Sequence, residues 1–173
     1  FPLWALEPGA PTRVETRHSV WGGDTDLWDG KPPADLASYP LASVTHYEFG
    51  RAKGGPLRLT WYDGGLMPPT PANMPAGTRM DPGGGVLYVG ERGLLMHETY
   101  GAKPVLIGEG LEERAAAVPR SLPRIAGGSA GHEMNWIRAI RGEEKISSPF
   151  EDAVPLNEAM LLGMVALRSE ERR

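Results

Sequence analysis

Two short clusters in the chain carry side chains suited to holding a hydroxylated ligand. The first is Trp61-Tyr62-Asp63-Gly64-Gly65. Two aromatic faces beside a carboxylate suit a polyol, which offers C–H surfaces to the rings and hydroxyl donors to the acid. The same residues also suit a structural role, with Trp61 in the core, Tyr62 covering an edge and Asp63 closing a turn ahead of Gly64. The second cluster is His132, Asn135 and Trp136. Spacing of three and four residues places them on one helix face, as a sugar or carboxylate subsite requires. An interface with Trp136 buried is the other reading of that face. Trp61, Tyr62, Asp63, His132, Asn135 and Trp136 are therefore the candidate substrate-binding residues, with both readings open for each cluster.

Other chemistries find less support. There is no cysteine, which removes disulfides, thiolate catalysis and Cys-based metal sites. Gly83-Gly84-Gly85 precedes a predicted strand, whereas a dinucleotide fingerprint follows a strand and opens a helix. No phosphate-binding loop, nucleophile elbow or His-Glu-x-x-His motif occurs. His18, His46, His97 and His132 are isolated in sequence, and three of them fall in predicted strands, where a hydrogen-bonded sheet histidine is the expected role. No carboxylate pair has spacing that marks a general acid and base. Motifs and spacing alone therefore mark no catalytic, metal-ligating or cofactor-binding residue.

The elements that would position these clusters follow from periodicity. Residues 12–21 alternate, with Val14, Thr16, His18 and Val20 on one side of a predicted strand. A polar loop with Gly22-Gly23, Asp29-Gly30 and Pro32-Pro33 follows. Residues 42–49 and 57–62 read as a hairpin across Gly54-Gly55, with Leu57, Leu59 and Trp61 on one face of the second strand. A proline-rich loop over residues 63–85 leads to a second hairpin, 85–90 with 93–98, turning at Glu91-Arg92, and residues 105–107 read as a short strand. Strand after strand, with helices late, predicts an α+β fold: a predominantly antiparallel open sheet with helices packed on one face.

Three helices are predicted. Residues 112–118 form a turn or two, and a longer helix runs from a Ser129 N-cap to Arg141, with Gly142 as its stop. The last helix is expected to start near Pro155. Its centre, residues 159–167, is apolar all round, so burial on more than one side is expected, against the sheet and, in the intact protein, against a neighbour outside this chain. Gly163 within that run points to close approach of another backbone.

At 173 residues, with 40% hydrophobic residues and five tryptophans, the chain has the composition of one folded domain. A formal charge of −4 without a basic block argues against nucleic acid as a partner. The longest apolar run is too short to span a membrane. The compartment, cytoplasmic or periplasmic, is left open.

An ordered series of motifs resembles the Gfo/Idh/MocA family of glucose–fructose-oxidoreductase-like and inositol-dehydrogenase-like enzymes. It comprises Phe1-Pro2-Leu3-Trp4-Ala5-Leu6, Pro40-Leu41-Ala42-Ser43 to Tyr47-Glu48-Phe49, and Leu59-Thr60-Trp61-Tyr62-Asp63-Gly64-Gly65. It continues with Gly85-Val86-Leu87-Tyr88-Val89-Gly90, Tyr100-Gly101-Ala102-Lys103-Pro104 and Ser148-Pro149-Phe150, then Pro155-Leu156 through Leu161-Leu162-Gly163 to Ala166-Leu167-Arg168. The resemblance implies that residues 1–173 are a single carboxy-terminal domain lining a substrate cleft and mediating oligomer contacts. It further implies that an N-terminal Rossmann domain, with its NAD(P) fingerprint, Glu-Lys-Pro lysine and catalytic histidine, lies outside this chain. The parent would then act on a sugar, cyclitol or glycoside hydroxyl and form a homo-oligomer. The fragment alone would be inactive and bind no NAD(P). The alternative is a stand-alone carbohydrate-binding or protein-interaction module.

Overall fold

Period-two alternation and glycine or proline punctuation yield six short strands among the described residues. The computed structural model describes residues 1–19, 39–50 and 54–170. The elements are α1 (Pro2–Leu6), β1 (Arg13–His18), β2 (Ser43–Phe49), β3 (Leu57–Asp63), β4 (Gly85–Gly90), β5 (Gly93–Glu98), β6 (Val105–Ile107), α2 (Leu111–Ala116), α3 (Gly128–Ile140) and α4 (Phe150–Glu170). The fold is α+β, and among the described residues all strand pairing is antiparallel. The strands are shared between two three-stranded sheets, β1-β2-β3 and β4-β5-β6, where the periodicity alone had pointed to one. The chain divides into two compact units, Phe1–Pro69 with Val154–Arg173, and Thr70–Ala153. The far end of the first predicted strand, at Val20 and Trp21, and the loop with Gly22-Gly23, Asp29-Gly30 and Pro32-Pro33 lie outside the described residues.

In the first unit, the alternation of β2 places Thr45, Tyr47 and Phe49 inward, all buried. Register brings Val14 and Leu59 beside Tyr47, Thr16 and Trp61 beside Thr45, and Leu57 beside Phe49. Tyr47, Phe49 and Ala159 form a core cluster, with Leu3, Val14, Leu57 and Leu59 packed on it. Helix α4 reaches this face through small residues. A Cβ at Gly163 would collide with the Tyr47 hydroxyl, and Thr16 Oγ1 donates to the Gly163 carbonyl at 3.3 Å. Thr16 Oγ1 also bonds Thr45 Oγ1 at 3.0 Å, so these buried hydroxyls are satisfied.

Burial pushes the Tyr47 phenol above its ordinary pKa. A pKa raised in the folded state gives a contribution present at neutral pH and lost as pH rises through that folded value. Unfolding by urea is therefore expected to become easier above about pH 10, and Tyr47→Phe should remove that part of the alkaline loss. Identical alkaline profiles for the two proteins would refute this.

The opposite face of the first sheet is polar. Arg13, Glu48 and Arg58 form one cross-strand row and Glu15, His46 and Thr60 the next. Arg17 bonds Glu15 and Arg58 bonds Glu48, while His46 Nδ1 meets Thr60 Oγ1 at 3.0 Å. The Arg17 guanidinium, by hydrogen bond and charge, holds the Glu15 carboxyl below its usual range. Exposed pairs of this kind add little stability, but they fix register and discourage edge-to-face association.

In the second unit, β4 and β5 pair from Gly85↔Glu98 to Gly90↔Gly93 around Glu91-Arg92, and β6 pairs with β5. Helix α3 begins at Gly128 with Gly127 as its N-cap and no side-chain cap bond, so Ser129 lies inside the first turn instead of capping it. Gly142 closes the helix, its N–H bonding to the Ala139 carbonyl at 3.0 Å.

Helix α4 starts at Phe150, before the predicted Pro155, which lies inside the helix. Pro149 directly precedes it, and Glu151 and Asp152 supply first-turn acids, favourable at a helix N-terminus. Pro155 then costs one intrahelical bond near that end. Only one side of the apolar stretch is covered: Ala159, Ala166 and Leu167 are buried, whereas Val154, Met160, Leu161 and Val165 are exposed. Among the described residues burial is on the sheet side alone; the other side, expected to meet a neighbour outside this chain, is exposed. Among the described residues no helix is long and apolar enough to cross a membrane.

Candidate functional site

Strand geometry divides the first candidate cluster. Successive side chains of β3 point to opposite faces, so Trp61 and Asp63 share the α4-packed face and Tyr62 the polar face. Trp61 is 57% exposed, near the edge of its sheet, and thus not the core residue that the structural reading offered. Tyr62 pairs across the sheet with Val44, in the row that includes Arg17. The Asp63 carboxylate accepts the Gly64 N–H at 2.8 Å, which fixes the exit of the strand. Gly64 has φ +70, and a Cβ there would collide with the Leu41 carbonyl and with Ala42. The turn is therefore specified by glycine and braced by Asp63. These three side chains do not converge on one ligand: Trp61 is an open aromatic surface, Asp63 is a turn acceptor, and Tyr62 faces away from both.

The second cluster is built around Asn135, which is 2% exposed. After Gly142 the chain folds back along α3, and Asn135 holds it there. Its Nδ2 donates to Glu144 Oε2 at 2.9 Å and to the Lys145 carbonyl at 3.0 Å. Its Oδ1 accepts the Ser147 N–H at 2.9 Å. Both amide protons and the carbonyl oxygen are used within the protein, which sets the amide orientation. Arg138 Nη1 bonds the other Glu144 oxygen at 3.0 Å. These hydrogen bonds, the one from Asn135 first, and the Arg138 charge hold the Glu144 carboxyl below its ordinary range.

His132, one turn before Asn135, is exposed, and its Nδ1 lies 3.3 Å from Ser147 Oγ. Trp136, four residues after His132, is 58% exposed. The helix face predicted from spacing is thus real for His132 and Trp136, while Asn135 points inward as a clasp. Ser147 and Glu144 were not among the sequence candidates. The only signal for them was the polar run after a helix stop at Gly142, ambiguous without the fold.

The remaining histidines are hydrogen-bonded in or beside their strands: His18 Nδ1 with the Ser19 carbonyl, His46 with Thr60, and His97 Nδ1 with the Glu98 carbonyl. Among the described residues, two shallow, open, largely apolar grooves run along α4, one lined by Val154, Asn157, Glu158, Leu161, Leu162 and Val165. Neither candidate cluster lines them, and open apolar grooves without converging polar groups are weak grounds for a small-molecule site. No family model, curated protein or solved structure matches the chain.

Proposed function

We propose that this chain is the substrate-side, carboxy-terminal portion of an NAD(P)-dependent oxidoreductase acting on a sugar, cyclitol or glycoside hydroxyl. The reading is carried by the motif series, whose members resemble the Gfo/Idh/MocA family in the same order along the chain. An α+β fold of antiparallel strands followed by helices supports it. The nicotinamide would carry the hydride chemistry, with proton transfer supplied by residues outside this chain. The chain's own contribution is orientation of the substrate and assembly with a further domain or copy. The uncovered α4 side, with Val154, Leu161 and Val165, supports such assembly.

The expected result is no NAD(P)H fluorescence enhancement with the 173-residue chain, and cofactor binding with sugar-dependent reduction of NAD(P) once the preceding reading frame is joined to it. Micromolar cofactor binding by the chain alone, or no cofactor binding by the joined protein, would overturn the reading.

The exposure of Trp61 favours a second reading, a carbohydrate-binding module acting by itself. It requires sugar binding that Trp61→Ala abolishes without lowering the melting temperature. Sugar binding unaffected by Trp61→Ala would end it.

A further inference from the structure

We propose that Trp136, His132 and Ser147 together bind a pyranose or cyclitol, and that Asn135 positions this site without touching the ligand. The inference takes its ligand class from the oxidoreductase reading. Its geometry stands independently of that reading.

Three observations carry it. Asn135 has spent its two donors and its carbonyl oxygen on Glu144, Lys145 and Ser147, and at 2% exposure it has no face for a ligand. Its effect is to fix the backbone of the return segment against α3, so that Ser147 Oγ comes within hydrogen-bonding distance of His132 Nδ1. The clasp uses the backbone N–H of Ser147, leaving the hydroxyl for that contact. Finally, positions 132 and 136 lie one helical turn apart on one face, and Trp136 exposes more than half its surface.

The chemistry of this arrangement is specific. An exposed indole offers a flat π surface to the C–H bonds of a sugar ring. A hydroxyl and an imidazole, each able to donate and accept, suit adjacent ring hydroxyls, which also do both. Glu144 and Arg138, beside the Asn135 clasp, are paired with one another and so offer a charged ligand little. Rigid support from a buried, fully bonded amide limits the ordering cost of binding.

The test is an NMR titration of the intact chain with myo-inositol, glucose and galactose, following the His132 and Ser147 backbone amides in every variant and, where the indole is present, the Trp136 indole N–H. Saturable shifts are expected with at least one of the three. Ser147→Ala removes only the hydroxyl and keeps the N–H bond to Asn135, so it should weaken binding about tenfold with an unchanged melting temperature. His132→Ala should act similarly, and Trp136→Ala should abolish binding.

Absence of any saturable shift overturns the proposal. So does binding that survives both Trp136→Ala and Ser147→Ala. A Trp136→Ala protein that changes its sedimentation coefficient while sugar shifts stay absent would assign the indole to a protein interface instead. Failure of the joined protein to bind cofactor, with sugar shifts intact, would remove the oxidoreductase reading and leave this subsite standing. The reverse pattern would do the opposite.

Discussion

Asn135→Asp is expected to destabilise the Thr70–Ala153 unit more than Asn135→Ala, although Asp is far closer to Asn in shape. The native amide donates twice and accepts once, and the partners around it are fixed by that polarity. Alanine removes all three bonds. It leaves the Lys145 carbonyl and the Ser147 N–H to find solvent, at a cost of about 2–3 kcal/mol for partly buried groups. Aspartate keeps an acceptor for Ser147 but turns a second acceptor toward the Lys145 carbonyl and the Glu144 carboxylate. Two like charges then compete for one site, and Arg138 can neutralise only one of them.

The pH dependence of the Asp variant has a definite sign. Beside Glu144, and buried, the new carboxyl has its folded pKa raised above its unfolded value. Its neutral form is favoured by the fold, so the added penalty is full at neutral pH and shrinks as pH falls. The native clasp changes in the opposite sense. Glu144 is held below its ordinary range, so what it contributes is present above the unfolded carboxyl pKa and lost as pH falls through the folded one. The stability gap between native and Asn135→Asp protein should therefore narrow between about pH 7 and about pH 4. Hydrogen exchange of the Ser147 amide reads the clasp directly, because that proton is the one Asn135 Oδ1 accepts. Undiminished protection of this amide in the Asp variant would show that the clasp does not depend on the amide's donors.

Asn135 also marks the limit of what periodicity could say. Helical spacing correctly placed it on α3 with His132 and Trp136, because three- and four-residue spacing is a local property. Its burial depends on residues 144–147 turning back after Gly142, and asparagine is a residue type usually found exposed. Strand limits were legible for the same local reason: 57–62 was expected and Leu57–Asp63 is found. The division into two sheets was not. Alternation assigns a strand's two faces but never its neighbours, and the proline-rich loop between β3 and β4 leaves their pairing unspecified. Alternation did hold a warning about the first cluster. Trp61 and Tyr62 are adjacent on a strand, so they could never share a face. At α4, Pro155 suggests a first turn by its type, but the acids Glu151 and Asp152 mark the true one.

Gly163 is the position where local preference and packing conflict most directly, and Gly163→Ala should cost about 1–2 kcal/mol. Considered as helix alone, the substitution gains about 1 kcal/mol, since glycine is the poorer helix former. Packing opposes that gain. The added methyl would occupy the space of the Tyr47 hydroxyl and sit 3.5 Å from Thr45 Cγ2. Moving the helix away to relieve the clash would stretch the bond from Thr16 Oγ1 to the Gly163 carbonyl, already 3.3 Å. It would also loosen Ala159 from Tyr47 and Phe49. Because the collision is chiefly with one oxygen atom, Tyr47→Phe is the specific relief. In that background Gly163→Ala should be neutral or stabilising, giving a coupling of at least about 1 kcal/mol in a double-mutant cycle. Urea unfolding of the four proteins measures it. An equal cost of Gly163→Ala with Tyr or Phe at position 47 would mean that the helix is held off the sheet by something other than this hydroxyl. The docking of α4 would then need a different account.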